Sequence, residues 1–334
     1  MTLLAIRDLT VSVRGPAGKT TILDRVGLSV EPGGAVALVG ESGSGKSLTA
    51  FAAMGLLPAG ARVEGGSVVF EDKSLLELRE RELCAIRGAR LAMVFQEPSA
   101  ALNPVYTIGS QISEAVRLHQ SISRRDARAL AERWLADVGM PAPSRAYDSY
   151  PHELSGGMRQ RAMLAIALIA GPSLLIADEP TASLDRTLEA QVLELIAEQR
   201  RKRKMALLLV SHDLATVSEV TVRVVVLYAG EVVEEGPTAS MLDAPAHPYT
   251  QALVASIPDP SKHGQRRLGQ RAPLLPVLPG APPRFDMLPP GCRFAPRCDQ
   301  AFDRCAAERP PLYATSAGGS VRCFLYDTKA EAAS

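Results

Sequence analysis

The run Ala35-Val36-Ala37-Leu38-Val39, followed at once by Gly40-Glu41-Ser42-Gly43-Ser44-Gly45-Lys46-Ser47, constrains this chain more than any other feature. Five consecutive apolar residues fit a strand buried on both faces. The eight that follow match G-x-x-x-x-G-K-[ST] and lead into a plausible helix from Leu48 to Leu57, which is the strand–loop–helix context the motif requires. Glycines let backbone N–H groups close around phosphate oxygens, and a helix N-terminus adds favourable partial charge. On this reading the eight loop residues and Thr49 line the phosphates of a nucleotide. Lys46 neutralises the β- and γ-phosphates, and Ser47 offers its hydroxyl to Mg2+. A GTPase or a P-loop kinase would carry the same loop, so the motif gives a nucleotide and not a job.

Three more runs share the texture of the first: Leu91 to Phe95, Leu174 to Ala177 and Ala206 to Val210. Each precedes polar or glycine punctuation and a longer amphipathic stretch, the pattern of an α/β domain with a mainly parallel sheet. Ser113 to Val138 reads as helical, part of a subdomain apart from the sheet at about 97–160. Thr221 to Gly236 is Val-rich with a turn at Gly230, so it reads as two closing strands. After Ser256 the texture changes. Residues 257–291 hold Pro258, Pro260, Pro273, Pro276, Pro279, Pro282, Pro283, Pro289 and Pro290, a density that neither helix nor central strand tolerates. The expected organisation is a nucleotide-binding domain over 1–256, a connector over 257–291, a Cys-rich extension over 292–326 and a tail over 327–334.

The 334 residues carry 37 Lys and Arg against 36 Asp and Glu, a net charge of +1, so the basic footprint of a nucleic-acid binder is missing. The run Arg200-Arg201-Lys202-Arg203-Lys204 falls at the end of a helical stretch, where cations complement the helix dipole. The opening Met1 to Ile6 meets Arg7-Asp8 too soon for a secretory signal. The uncharged run at Ala162 to Ala177 contains Leu164 and Leu168 but is broken by Gly171-Pro172, short of the roughly 20 residues a spanning helix needs. A soluble, cytoplasmic chain is expected. Of five cysteines, Cys84 stands alone and is expected to be a small buried apolar residue.

Leu174-Leu175-Ile176-Ala177-Asp178-Glu179 ends an apolar strand in two acids. In a parallel sheet they fall at the carboxyl edge, beside the glycine loop. Asp178 is then a Mg2+ holder and Glu179 the general base for an attacking water.

Leu154-Ser155-Gly156-Gly157-Met158-Arg159-Gln160-Arg161 resembles the signature of the ABC ATPases. The other ABC motifs follow in order. Gln96 resembles the Q-loop glutamine, which contacts Mg2+ or the water. Ala182-Ser183-Leu184-Asp185 resembles the D-loop, and His212 in Val210-Ser211-His212-Asp213 resembles the switch histidine at the γ-phosphate. The resemblance implies a P-loop NTPase of the ABC cassette type. Its expected parts are a mainly parallel sheet core, a helical subdomain, an antiparallel β subdomain and a small Cys-rich C-terminal extension. It also implies two cassettes sandwiching each ATP, with Ser155, Gly156, Gly157 and Asp185 serving the partner's site. One departure concerns adenine. The family stacks the base on an aromatic near the first strand, where this chain has Val11-Ser12-Val13-Arg14. Val13 and Arg14 are the candidates for the base.

A narrower likeness covers nearly the whole chain. Phe95 to Pro104, His247-Pro248-Tyr249-Thr250-Gln251-Ala252-Leu253 and Leu288 to Cys298 resemble stretches of ATP-binding subunits of oligopeptide, dipeptide and nickel importers. The resemblance implies an ATPase that energises solute import, with a second cassette subunit, two transmembrane permease subunits and an extracytoplasmic solute-binding protein as partners. No nucleic acid is expected, and the place of action is the cytoplasmic face of the inner membrane. Soluble ABC proteins of translation or repair, exporter ATPases and a redox-sensing ATPase are the rival readings. Cys292, Cys298, Cys305 and Cys323 are four thiols in one short segment, and thiolates select zinc or iron–sulfur clusters. The spacings are not those of common zinc sites. Some importer subunits carry a [4Fe-4S] cluster in this extension, so such a cluster is expected here, with reduced packing thiols as the alternative.

Overall fold

The computed structural model describes residues 2–15, 18–182, 184–257 and 278–327. Two sheets organise them. Strands β1 (Leu4–Gly15) and β2 (Gly18–Val30) form a long antiparallel pair. β3 (Ala35–Val39) leads into helix α1 (Lys46–Met54). β4 (Ala61–Phe70) and β5 (Lys73–Ser74) return to the first sheet, whose order is β2-β1-β4-β5. Helix α2 (Glu80–Ile86) and strand β6 (Leu91–Val94) follow. The chain then leaves the sheets for α3 (Pro98–Ala101), α4 (Ile108–Arg117), α5 (Arg124–Asp137), α6 (Pro143–Asp148) and α7 (Gly156–Leu168). It returns as β7 (Leu174–Asp178), α8 (Arg186–Arg203), β8 (Ala206–Ser211) and α9 (Leu214–Ser218). Strands β9 (Arg223–Tyr228) and β10 (Glu231–Pro237) close the second sheet, and α10 (Thr238–Asp243) and α11 (Pro248–Ala255) follow.

The second sheet is the frame of the molecule. Its order is β11-β12-β10-β9-β3-β8-β7-β6, where β11 (Tyr313–Ala314) and β12 (Ser320–Val321) come from the far C-terminus. β9, β3, β8, β7 and β6 run parallel, and β10 turns back antiparallel on β9. Alternate residues of each central strand feed opposite faces, as a two-residue side-chain period requires. Ala37, Val39, Leu175, Ala177, Leu207 and Leu209 join the helical layer in one core. Val36, Leu38, Leu174, Ile176, Leu208 and Val210 join α1 and the antiparallel sheet in the other. Covering on both faces explains why these strands read as unbroken apolar runs.

Several expectations shift. The stretch read as helical over Ser113 to Val138 consists of two helices, the end of α4 and the whole of α5. Ser123 caps the second by accepting from the Asp126 N–H at 3.1 Å. That cap outweighs the continuous pattern, because it satisfies an otherwise orphaned donor. Helix α1 begins two residues earlier than expected and stops at Gly55, which takes the left-handed conformation. Cys84 is exposed rather than buried. Helix α2 turns Leu83 and Ile86 inward, which leaves residue 84 on the outer face. The basic run closes α8 as expected, with Arg200 donating to the Gly33 carbonyl at 2.9 Å and Lys202 pairing with Glu198. Among the described residues no helix is long and apolar enough to cross a membrane.

The extension is built into the second sheet. β12 pairs with β10 at Glu234↔Val321, and β11 pairs with β12. Arg293, Arg309 and Arg322 from this segment converge on Asp24 of β2 and Glu231 of β10. Breaking such a buried network leaves an uncompensated charge, which is strongly destabilising. Residues 258–277 of the expected connector and 328–334 of the expected tail lie outside the described residues.

Candidate active site

Six of the expected residues, Lys46, Ser47, Gln96, Asp178, Glu179 and His212, meet at the carboxyl ends of β3, β6, β7 and β8. β3 delivers the glycine loop, β7 ends at Asp178, and His212 follows β8. Gln96 comes from the turn after β6. The topology forces this convergence, since parallel strands present all their C-terminal ends on one edge.

The loop is seated tightly on the sheet. A Cβ on Gly40 would stand 2.1 Å from the Leu227 carbonyl oxygen, so only glycine fits between β3 and β9 there. Gly45 has a φ of 107° and caps α1, a conformation that costs glycine little. Lys46 is 4% exposed, and its ammonium donates to the carbonyls of Gly40 and Glu41 at 2.8 and 3.0 Å. Its Nζ also lies 3.7 Å from a Glu179 oxygen. Burial pulls the Lys46 pKa down and the neighbouring carboxylates oppose the shift. A buried cation in a glycine loop that opens a helix is suited to a polyanion.

Ser47 donates its hydroxyl to Asp178 Oδ1 at 3.0 Å. Asp178 is almost fully buried, and desolvation together with the adjacent Glu179 pushes its pKa up. A hydroxyl and a carboxylate side by side are the hard oxygen donors Mg2+ prefers, so the donor set fits that ion.

Glu179 is the hub. Its Oε2 accepts from Gln96 Nε2 at 3.1 Å and lies 3.4 Å from His212 Nδ1. His212 and then Lys46 hold the Glu179 carboxyl below its ordinary range against the cost of burial, so it is an anion at neutral pH. The same contact raises His212 above its ordinary 6.5. Glu179 has a φ of 42°, unusual for a residue with a side chain. An outlier of this kind costs of order 1–3 kcal/mol and persists only where the surroundings impose it. The group can accept a proton from a water lying between it and a bound phosphate chain.

The other expected residues sit apart from this cluster. Thr49 corrects its expectation: it is fully buried, and its hydroxyl donates to the Gly45 carbonyl at 3.0 Å instead of lining the cradle. Val13 and Arg14 lie in β1, paired with Thr20 and Lys19 of β2. Arg14 is exposed, and neither shares a hydrogen bond with the loop among the described residues. Ser155 caps α7 by accepting from the Met158 N–H, and Ser155 and Gly156 are exposed. Asp185 caps α8 by accepting from the N–H groups of Thr187 and Leu188, both at 3.0 Å. Ser183 of the same turn lies outside the described residues. Ser155, Gly156, Gly157 and Asp185 share no hydrogen bond with the glycine loop of their own chain among the described residues.

All four extension cysteines line one pocket, with His247, Phe294 and Phe324. None is in a disulfide. Burial raises the pKa of Cys292 and Cys298 and takes Cys323 up to about 11. An all-thiol set around one pocket suits the chemistry of an iron–sulfur cluster. Among the described residues, however, no three His, Cys, Asp or Glu side chains are placed to hold a single metal ion.

A parallel sheet of this order, with the glycine loop after β3 and two acids at the end of β7, one strand further across β8, is the frame of a P-loop nucleoside triphosphatase. Residues 23–182 match the ABC transporter family model, and residues 233–305 match that of the oligopeptide/dipeptide transporter C-terminal region. The chain is 44% identical to the oligopeptide transport ATP-binding protein AppD of Bacillus subtilis, over 98% of this chain and 97% of the relative. It is 43% identical to the dipeptide transport ATP-binding protein DppD of Escherichia coli, over 97% of this chain and 96% of the relative. Among solved structures it is similar to the ATP-binding cassette MJ0796 in a dimeric post-hydrolysis state bound to ADP and Pi. That likeness has a TM-score of 0.64 and 25% identity, covering 70% of this chain and 98% of the other. The chain belongs to the ABC transporter family, as an ATP-binding subunit of the oligopeptide/dipeptide type. It is an ATPase.

Proposed function

We propose that this ATPase energises import of peptides or a related small solute, with each ATP held between two cassettes. The observation that carries the reading is the placement of Glu179, ionised, between Lys46, His212 and Gln96. Gly40 to Ser47 cradle the phosphates. Ser47, Asp178 and Gln96 hold Mg2+, which when bound offsets phosphate charge. Glu179 takes the proton of a water attacking the γ-phosphorus in line with the departing ADP oxygen, and His212 steadies both the carboxylate and the phosphate. Catalysis of this kind is positioning plus electrostatic stabilisation, with little covalent chemistry.

Ser155, Gly156, Gly157 and Asp185 act on the partner cassette's nucleotide. The exposure of Ser155, Gly156 and Asp185, and the lack of bonds from any of the four to their own loop among the described residues, support this. Val13 and Arg14 flank the base. The cassette spans 1–256 with its helical part at about 97–160. The connector spans 257–291, the extension 292–326 and the tail 327–334. The partners are a second cassette subunit, two permease subunits and an extracytoplasmic binding protein. The names of AppD and DppD, both transport ATP-binding proteins, support that assembly and a peripheral place on the inner membrane's cytoplasmic face. We also assign Cys292, Cys298, Cys305 and Cys323 to a [4Fe-4S] cluster of structural or regulatory role, supported by their shared pocket. Iron and acid-labile sulfide assayed in anaerobically purified chain should be equal and lost together on Cys→Ser replacement. Chain without either would end the assignment.

The shared site is tested with Ser155→Arg in the assembled transporter. Nucleotide binding at this chain's own loop should persist while hydrolysis at the partner's loop fails. Normal hydrolysis at the partner's loop would sink the shared-site reading.

A further inference from the structure

The glycine loop is held from outside the cassette core. Glu41, its second residue, is gripped at three points. Its carbonyl accepts from Lys46 at 3.0 Å, and its N–H donates to the Tyr249 hydroxyl at 2.8 Å. Its carboxylate takes both arms of Arg297, with Nη1 on Oε2 at 2.7 Å and Nη2 on Oε1 at 3.0 Å. Arg297 stands in the 3-10 turn Ala295–Arg297, between Cys292 and Cys298, and its side chain is only 5% exposed. The remaining donors are also engaged, Nε with the Pro279 carbonyl at 2.8 Å and Nη1 with the Tyr228 hydroxyl at 3.2 Å. Beneath the pair, Tyr228, Tyr249 and Phe294 pack ring on ring, with centroids 4.6 to 5.4 Å apart.

We propose that Arg297 is a positioning residue of the nucleotide site: it fixes Glu41, and through the Glu41 carbonyl Lys46, in the phosphate-binding shape of the loop, so tight nucleotide binding depends on the docked extension. The proposal rests on the reading of Gly40 to Ser47 as the phosphate cradle. A bidentate guanidinium–carboxylate pair sets orientation as well as distance. Because it is buried, bulk salt screens it little. A loop ordered before the ligand arrives spares the ligand that ordering cost. Both side-chain anchors, Tyr249 and Arg297, lie outside the 23–182 match and inside the 233–305 match. Neither anchor therefore comes from the 23–182 stretch that carries the glycine loop itself. Arg297 shares no hydrogen bond with Asp178 or Glu179 among the described residues. Its effect should fall on affinity and KM far more than on kcat.

The test is Mg·ATP affinity of the full-length chain by calorimetry, with turnover of the assembled transporter measured alongside. Arg297→Gln and Glu41→Gln should each weaken binding about tenfold, and the double variant should be no worse than the weaker single, as for residues acting as one unit. Arg297→Lys, which keeps the charge without the fork, should fall between. Lys46→Ala separates the two layers of the argument. If Lys46→Ala abolishes binding while Arg297→Gln binds like wild type, Arg297 is only a staple for the extension and the proposal is overturned. If Lys46→Ala binds normally, the phosphate-cradle reading itself fails. Should Arg297→Gln not fold, Glu41→Gln decides alone, and wild-type affinity in that variant overturns the proposal.

Discussion

Replacing Gly40 by Ala adds one methyl at the base of the glycine loop, and the geometry says what that methyl meets. The new Cβ would stand 2.1 Å from the Leu227 carbonyl oxygen and 2.8 Å from the Ser44 hydroxyl. The first contact is more than about 1 Å short of normal van der Waals separation. Leu227 cannot yield alone. It lies in β9, whose Val226 pairs with Val39, the residue just before Gly40. Its side chain is fully buried. The methyl must therefore push β3 and β9 apart or lift the loop. Overpacking of this kind costs about 1–3 kcal/mol. Gly43→Ala is the internal control, since its Cβ meets nothing within 4 Å and only its φ of 78° opposes it. That strain is worth about 1 kcal/mol. Equilibrium denaturation of both variants, with the slope unchanged, should give Gly40→Ala the lower midpoint. Its Mg·ATP affinity should also fall. A Gly40→Ala protein with wild-type midpoint and wild-type affinity would refute the seating of the loop against β9.

Two further outcomes follow from the charges and the thiols. In the nucleotide-free chain, the His212 imidazole should titrate above 6.5 by NMR and return toward 6.5 in Glu179→Gln. Because the folded pKa is raised, the pair's stabilisation is fully present below pH 6.5 and is lost as pH climbs through the raised value. With His212 more than half exposed, the effect on overall stability is small. An unchanged titration in the variant would mean the two side chains do not interact. Alkylation of the native chain at mild alkaline pH should label exposed Cys84 first, with Cys305 and Cys323 labelled only on unfolding. Peptide mass mapping reads this directly, and early labelling of Cys323 would contradict its burial and raised pKa.

The sequence made the catalytic edge legible because each part is local. Ala35 to Val39 and Leu174 to Asp178 are runs whose burial on both faces leaves no ambiguity of period, and the glycine loop and the acid pair follow them directly. What was not legible is what depends on contacts across the chain. Ser123 splits a continuous helical pattern through one cap. β11 and β12 are two residues each and exist because β10 offers an edge to pair with. The Arg297–Glu41 pair joins residues 256 positions apart, and nothing local marks either side chain. Thr49 follows the loop closely in sequence, yet the first turn of α1 rotates it into the core. Cys84 sits on a helix face that only the packing of Leu83 and Ile86 defines.

Glu179 is the group that activates water, and nucleotide binding is left to the loop. The direct test is phosphate release by the assembled transporter carrying Glu179→Gln, with ATP binding measured on the same preparation. Loss of a positioned general base should slow hydrolysis by about 10²–10⁴-fold. Binding should be retained or strengthened, because the amide removes a negative charge 3.7 Å from Lys46, where the phosphates are to sit. Hydrolysis at the wild-type rate, or hydrolysis and binding lost together, would contradict the role given to Glu179.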